Sequence, residues 1–234
     1  MININKIVIG SALTLVIAMF AKISVAGIVT IFDDLNFVTY KSGTELSGFY
    51  HSRDGMFSCG FLFHNRDEVI LKSEGGVTEV RVMTFDFVPH SPKYTYEQRD
   101  PRSDIEGTIY LDGDKVSLKT DSPHGGCQSA AGMFDSSPGE RGASTYSEVR
   151  SIDAIGIFAV GKKTFLYNGA GSSRSSKYLL PGDLVVAIRR LRGYVFVRFV
   201  NPDSQIDESD SKRVATGWVR SADLVDPFPP AVKH

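Results

Sequence analysis

After about residue 26 the hydrophobic positions recur in short runs of period two, cut by turn residues, and a helical period is hard to find anywhere. From Val77 to Val88 the chain alternates through Val80 and Val82, then resumes with Phe85 and Phe87 after a phase shift at Met83-Thr84. Such a shift predicts a β-bulge or a bent strand. Phe61-Leu62-Phe63 and Val69-Ile70-Leu71 flank the polar triplet Asn65-Arg66-Asp67, which predicts a hairpin. Ile109 and Leu111 precede Asp112-Gly113, and Val116 and Leu118 follow it. Asp-Gly between alternating runs is the strongest short-range hairpin signal. In the last third a Pro181-Gly182-Asp183 turn leads to an apolar strand, Leu184 to Ile188, a basic bend, Arg189 to Gly193, and a second strand, Tyr194 to Val200. The expectation is an all-β protein.

The first 26 residues follow different rules. Lys6 supplies a positive start, Ile7 to Ala21 is an apolar run, and Ser24-Val25-Ala26 places small residues at −3 and −1. That order predicts a secretory signal peptide cleaved after Ala26. The competing reading is an uncleaved anchor, but Lys22 interrupts the run and its 15 residues fall short of a span. No cysteine follows the run to take a lipid. The expected destination is the periplasm or the exterior, with the membrane met only during export. The expected mature chain has 208 residues (234 minus 26), and its charge moves from −1 to −3 as Lys6 and Lys22 leave. A near-neutral balance carries no electrostatic footprint for nucleic acid.

Ser136 to Ser147 is rich in Ser, Gly and Pro, as linkers are. The domains expected are therefore a signal at 1–26, an antiparallel β-barrel or sandwich at 27–145 and a small barrel at 146–234. Val149 to Val160 would open the second unit or pack on the first. Two cysteines remain, Cys59 and Cys127, and an even pair in an exported chain predicts one disulfide. His124 lies too near Cys127 in sequence to serve it as a catalytic base.

Within the last third the order of features resembles the bacterial SH3-type domain. The residues that carry the likeness are Tyr178-Leu179-Leu180, Gly182-Asp183, Gly193 to Phe199 (GYVFVRF) and Gly217 to Leu224 (GWVRSADL). Tyr194 stands where many members carry a second tryptophan. The resemblance implies an SH3-like barrel serving cell-wall peptides or protein partners. A shorter likeness, Gly126-Cys127 with small residues and then Gly132-Met133-Phe134, is to small periplasmic barrels. Some of those are lysozyme inhibitors or immunity proteins against wall-degrading toxins.

Candidate binding residues follow from where aromatics meet turns. Tyr167, Tyr178, Tyr194 and Trp218 fall at strand ends and would form an aromatic shelf for an extended peptide, with Asp183 and Asp223 available to pair an amine. In Pro89 to Ser103, Tyr94, Tyr96 and Arg99 would be the contacts of a protruding loop, unless that loop is merely solvated. The acidic stretch Asp203 to Ser211 lacks the spacing of a calcium loop and reads as a solvated hairpin loop.

Catalytic motifs are missing: there is no HExxH, G-x-S-x-G or P-loop, and the histidines show no metal spacing. No cofactor, metal or catalytic residue is expected. The function expected is non-enzymatic binding of a peptidoglycan peptide or a periplasmic protein partner. The alternative is an inhibitor or immunity protein that neutralises a wall-degrading enzyme.

Overall fold

A computed structural model describes residues 27–72, 76–88 and 93–230; the expected export signal, 1–26, lies outside them. The chain is all-β. Strands β1 (Gly27–Phe32), β2 (Phe37–Ser42), β3 (Glu45–Asp54), β4 (Phe57–Lys72), β5 (Thr78–Phe85), β6 (Ile105–Asp112), β7 (Lys115–Thr120) and β8 (Ser144–Ala154) form a closed barrel in sequence order. Neighbours are antiparallel, and β8 returns to lie beside β1. Seven strands follow: β9 (Gly156–Val160), β10 (Thr164–Tyr167), β11 (Arg174–Leu179), β12 (Leu184–Leu191), β13 (Tyr194–Val200), β14 (Val214–Arg220) and β15 (Leu224–Val225). They make a half-barrel sheet in the order β11-β10-β14-β13-β12-β9-β15.

The barrel interior is aromatic. Phe37 stacks on Tyr146 at 4.3 Å, and Phe61 meets Phe134 edge-on at 5.2 Å. Space for this comes from Gly48, where a Cβ would stand 2.2 Å from the Phe63 ring and 2.3 Å from the Val38 carbonyl oxygen. A second apolar layer lies outside the barrel. Val29, Ile31, Val38, Phe49, Leu62 and Phe85 pack there against Ala154, Ile157, Ala159, Leu184 and Val186. The third core, around Leu166, Val185, Val195, Val197 and Val219, belongs to the half-barrel alone.

This layering explains where the sequence pattern misleads. Val80, Val82 and Thr84 keep one phase, with Thr84 buried, while Phe85 belongs to the outer layer. The register of β5 against both neighbours is unbroken through Met83-Thr84, so no bulge lies there. The irregularity sits in β4 instead, between Asn65 and Ile70, and the expected hairpin at Asn65-Arg66-Asp67 is one continuous strand. Asp112 does pair with Lys115 across a tight turn, with Gly113 at φ 59°. The linker-like stretch runs into β8, so residues 144–154 close the first barrel and the half-barrel begins at Gly156. Only Ile155 lies between, its N–H donating to the Ala187 carbonyl at 2.8 Å.

Cys59 and Cys127 are bonded, joining β4 to α1 (Cys127–Ala130), the one α-helix among the described residues. Gly126 makes the approach possible: at φ 81° it passes so close to Ser58 that a Cβ would lie 2.2 Å from that carbonyl oxygen. The acidic hairpin loop is not simply solvated. Arg53 N–H donates to the Pro202 carbonyl at 2.8 Å and Ser204 N–H to the Arg53 carbonyl at 2.9 Å, so the loop adds a short rung to the end of β3. The Arg53 side chain also meets the Asp203 carboxylate at 3.2 Å. Beneath it Arg213, only 3% exposed, donates to the carbonyls of Asn201 and Asp203 and, at 3.0 Å, to Asn36 Oδ1 on the barrel.

Two outcomes follow. Replacing Cys59 and Cys127 by serine should lower unfolding free energy in urea by about 4 kcal/mol, the chain-entropy value for a loop of this size, the cysteines being separated by 68 positions in sequence. Arg213→Met should cost about 2 kcal/mol or more, because buried acceptors lose their donor. It should also speed hydrogen exchange at the Arg53 and Ser204 amides. Unchanged exchange there would mean that the loop is held by something else.

Candidate functional site

The half-barrel offers one face to its own core and another outward. On β13, Val195 and Val197 point into the core, so Tyr194, Phe196, Arg198 and Val200 take the other side. Cross-strand partners share a face, and Phe196 pairs Trp218, which pairs Tyr167 on β10. Phe165 pairs Tyr178 on β11, and Tyr167 pairs Arg174. A register shift between Ala187 and Arg189 leaves one extra residue in β12, which carries Arg189 onto this face opposite Phe196.

Six rings thus line up as three contacts. Phe196 and Trp218 are 5.4 Å apart, Tyr167 and Tyr194 5.5 Å, and Phe165 and Tyr178 6.1 Å. Each pair carries cations. Lys163 stands 4.2 Å from the Tyr178 centroid and Arg174 4.1 Å from that of Phe165. Arg189 is 5.2 Å from Phe196 and 5.3 Å from Trp218, and Arg220 is 5.9 Å from Tyr167. Ring quadrupoles attract such cations by roughly 0.5–1 kcal/mol each at exposed sites, enough to bias their rotamers. The paired positions of β10 to β14 on this face contain no aspartate or glutamate.

The same face continues to the junction with the barrel. Arg198 pairs Val186 of the apolar layer on one side and exposed Thr216 on the other. It is 7% exposed and, among the described residues, its guanidinium has neither a hydrogen-bond nor an ion-pair partner. Burial, and then the charge of Arg150 on β8, draw its pKa down to about 10.

The shelf residues are therefore brought together: Tyr167, Tyr194 and Trp218 directly, and Tyr178 through Phe165. The two aspartates are not part of it. Asp223 is buried, accepting from Thr164 Oγ1 at 2.7 Å and pairing with Lys162 at 3.0 Å. Asp183 accepts from the Leu180 N–H at 2.7 Å and holds its own turn, where burial raises its pKa to about 6. Tyr94, Tyr96 and Arg99 form no protruding contact surface. Tyr94 packs edge-on to Phe87 at 5.4 Å, and its ring lies against Gly182 of the half-barrel. Tyr96 meets Phe85 at 5.1 Å, while Arg99 covers its ring at 4.0 Å and forks onto Asp104. These three residues seal the apolar layer. Phe165, Phe196 and the cations escaped the sequence reading, although alternation through Tyr194, Phe196 and Arg198 would have revealed part of the face.

The buried histidines are committed elsewhere. His124 lies flat on Phe61 at 4.3 Å and bonds Thr84 Oγ1 at 2.8 Å. Because Thr84 gives its own proton to the Ile105 carbonyl, His124 Nε2 is the donor in that bond. His64 gives Nδ1–H to the Asn65 carbonyl, so its Nε2 accepts from the Tyr96 hydroxyl at 3.2 Å. Among the described residues no group of three or more His, Cys, Asp or Glu is placed to hold a metal, and no helix is long and apolar enough to cross a membrane. No family model, curated protein or solved structure matches the chain.

Burial lowers the His124 pKa from 6.5 to about 4. A depressed value means the fold favours the neutral ring, so this contribution is complete above pH 6.5 and is lost as pH falls towards 4. The stability advantage of wild type over His124→Gln should therefore shrink by about 3 kcal/mol on acidification across that window, read by urea denaturation at several pH values. A difference independent of pH would show that the ring titrates normally.

Proposed function

We propose that this is an exported, non-enzymatic binding protein whose half-barrel works as an SH3-type module and recognises a cell-wall peptide or a protein partner. The observation that carries the reading is the row of six rings on one face of the half-barrel, in which Trp218 is buried, four rings are partly exposed and Tyr178 is half exposed. In the barrel interior and the apolar layer the large aromatics are covered by the chain's own strands and loops, whereas Tyr178 remains half exposed. Rigid rings lose little entropy on binding and so dominate interface energies. The disulfide suits an oxidising compartment, in keeping with the export signal read at residues 1–26. Peptidoglycan stem peptides and periplasmic proteins are the partners such a location supplies.

One observation favours the second reading, an inhibitor or immunity protein. The β3–β4 hairpin presents Met56, 90% exposed, beside half-exposed Phe57. The disulfide at Cys59 and the rung at Arg53 hold that tip from both sides. A braced apolar tip suits insertion into an enzyme cleft.

The two readings separate by mutation. Tyr194→Ala and Tyr178→Ala should each weaken capture of purified peptidoglycan or of a periplasmic partner by about tenfold, the cost of a typical interface anchor, while the melting temperature holds. Met56→Ser with Phe57→Ser should leave that capture intact. If the tip variant alone loses capture, the inhibitor reading takes its place.

A further inference from the structure

The buried guanidinium of Arg198 is the least explained group in the described residues. An arginine taken out of water normally meets a carboxylate or several carbonyls, because an unpaired buried charge is costly. Arg198 meets neither, and the charge that acts on it is another cation, Arg150. Yet none of its nitrogens is sealed from solvent; among the described residues the only buried side-chain nitrogen without a partner is Arg213 Nε. The fork is thus desolvated, unpaired and still reachable.

Its surroundings state the sign of what would complete it. Along the open face stand Arg174, Arg189 and Arg220, and the paired positions hold no carboxylate. The expected pairing of an amine by Asp183 and Asp223 is replaced by the opposite polarity, since Asp183 holds its own turn and Asp223 is taken up by Thr164 and Lys162. The ring faces also already carry cations. Stacking of bases, the basis of sequence-tolerant single-strand binding, needs those faces bare. What the surface offers instead is a row of oriented donors with apolar edges between them. A planar, bidentate acceptor matches an arginine fork best.

We infer that the face binds an extended acidic peptide segment of a protein partner, with one carboxylate seated on Arg198 at the barrel junction and flanking apolar side chains along Phe196 and Tyr194. The inference rests on the binding reading above and specifies its ligand. Arg198 is then held unpaired because the partner supplies the missing acceptor. This predicts a trade of stability for function, in which the free protein improves when the charge is removed.

The test is fluorescence anisotropy with a labelled peptide alternating glutamate and leucine, and its counterpart with glutamine for glutamate. Wild type should bind the glutamate peptide at least about tenfold more tightly, as loss of a charge-assisted fork implies. Arg198→Met should abolish that preference while its melting temperature stays equal or rises; Arg198→Lys should keep part of it. Equal affinity of wild type for the two peptides overturns the inference without any variant being needed. So does a lowered melting temperature in Arg198→Met with the preference intact, or tighter binding of oligothymidylate than of the glutamate peptide. Capture in the peptidoglycan or partner assay that depends on Tyr194 but not on Arg198 leaves the binding reading standing and removes the carboxylate. If neither residue matters there, both fall.

Discussion

The apolar layer between the barrel wall and the half-barrel is the constraint on which the rest depends. A closed barrel ordinarily turns polar side chains outward, but here Val29, Ile31, Val38, Phe49, Leu62 and Phe85 make one wall apolar. The wall needs a cover, and β9 and β12 supply it through Ile157, Ala159, Leu184 and Val186. Tyr94, Tyr96 and Phe228 close its margins. With only Ile155 between β8 and β9, the cover has little freedom to sit elsewhere. The loop clasp at Arg53 and Arg213 fixes the opposite end.

That docking divides one face of the half-barrel into two halves with different fates. The part over the wall is dry and aliphatic; the part beyond it is aromatic and cationic. Arg198 stands on the dividing line, which is why it is buried by the barrel without being served by it. The single extra residue in β12 matters for the same reason. Without that shift Arg189 would change sides and leave the Phe196–Trp218 pair without its cation.

Much of this was legible in the chain. Turn chemistry located Gly113 and the Pro181-Gly182-Asp183 bend, even cysteine count located the disulfide, and strand ends located four of the six rings in the row. The failures share one cause. Where the half-barrel covers the wall the strands of the first barrel are buried on both sides, so Val82, Thr84 and Phe85 look like a change of phase when they are two faces seen at once. Polar residues misled in the same way: Thr84 is an interior residue because His124 and the Ile105 carbonyl satisfy its hydroxyl. Asp203 to Ser211 is as polar as any solvated loop, and only its backbone betrays the contact with β3. Period and composition report what a side chain prefers, not which backbone lies beside it.

Barrel closure by β8 has a consequence in time. β1 finds β2 at once, but Gly27 has its other partner in Ala154, 127 residues later (154 minus 27). At translation rates of about 5–20 residues per second, roughly 6 to 25 seconds separate the two strands as the chain is made. Through that interval the outer edge of β1 is a row of unpaired amides and carbonyls beside an apolar wall, open to any neighbouring strand. The same delay makes a chain that stops short of residue 144 a sheet with two live edges, and so a seed for aggregation.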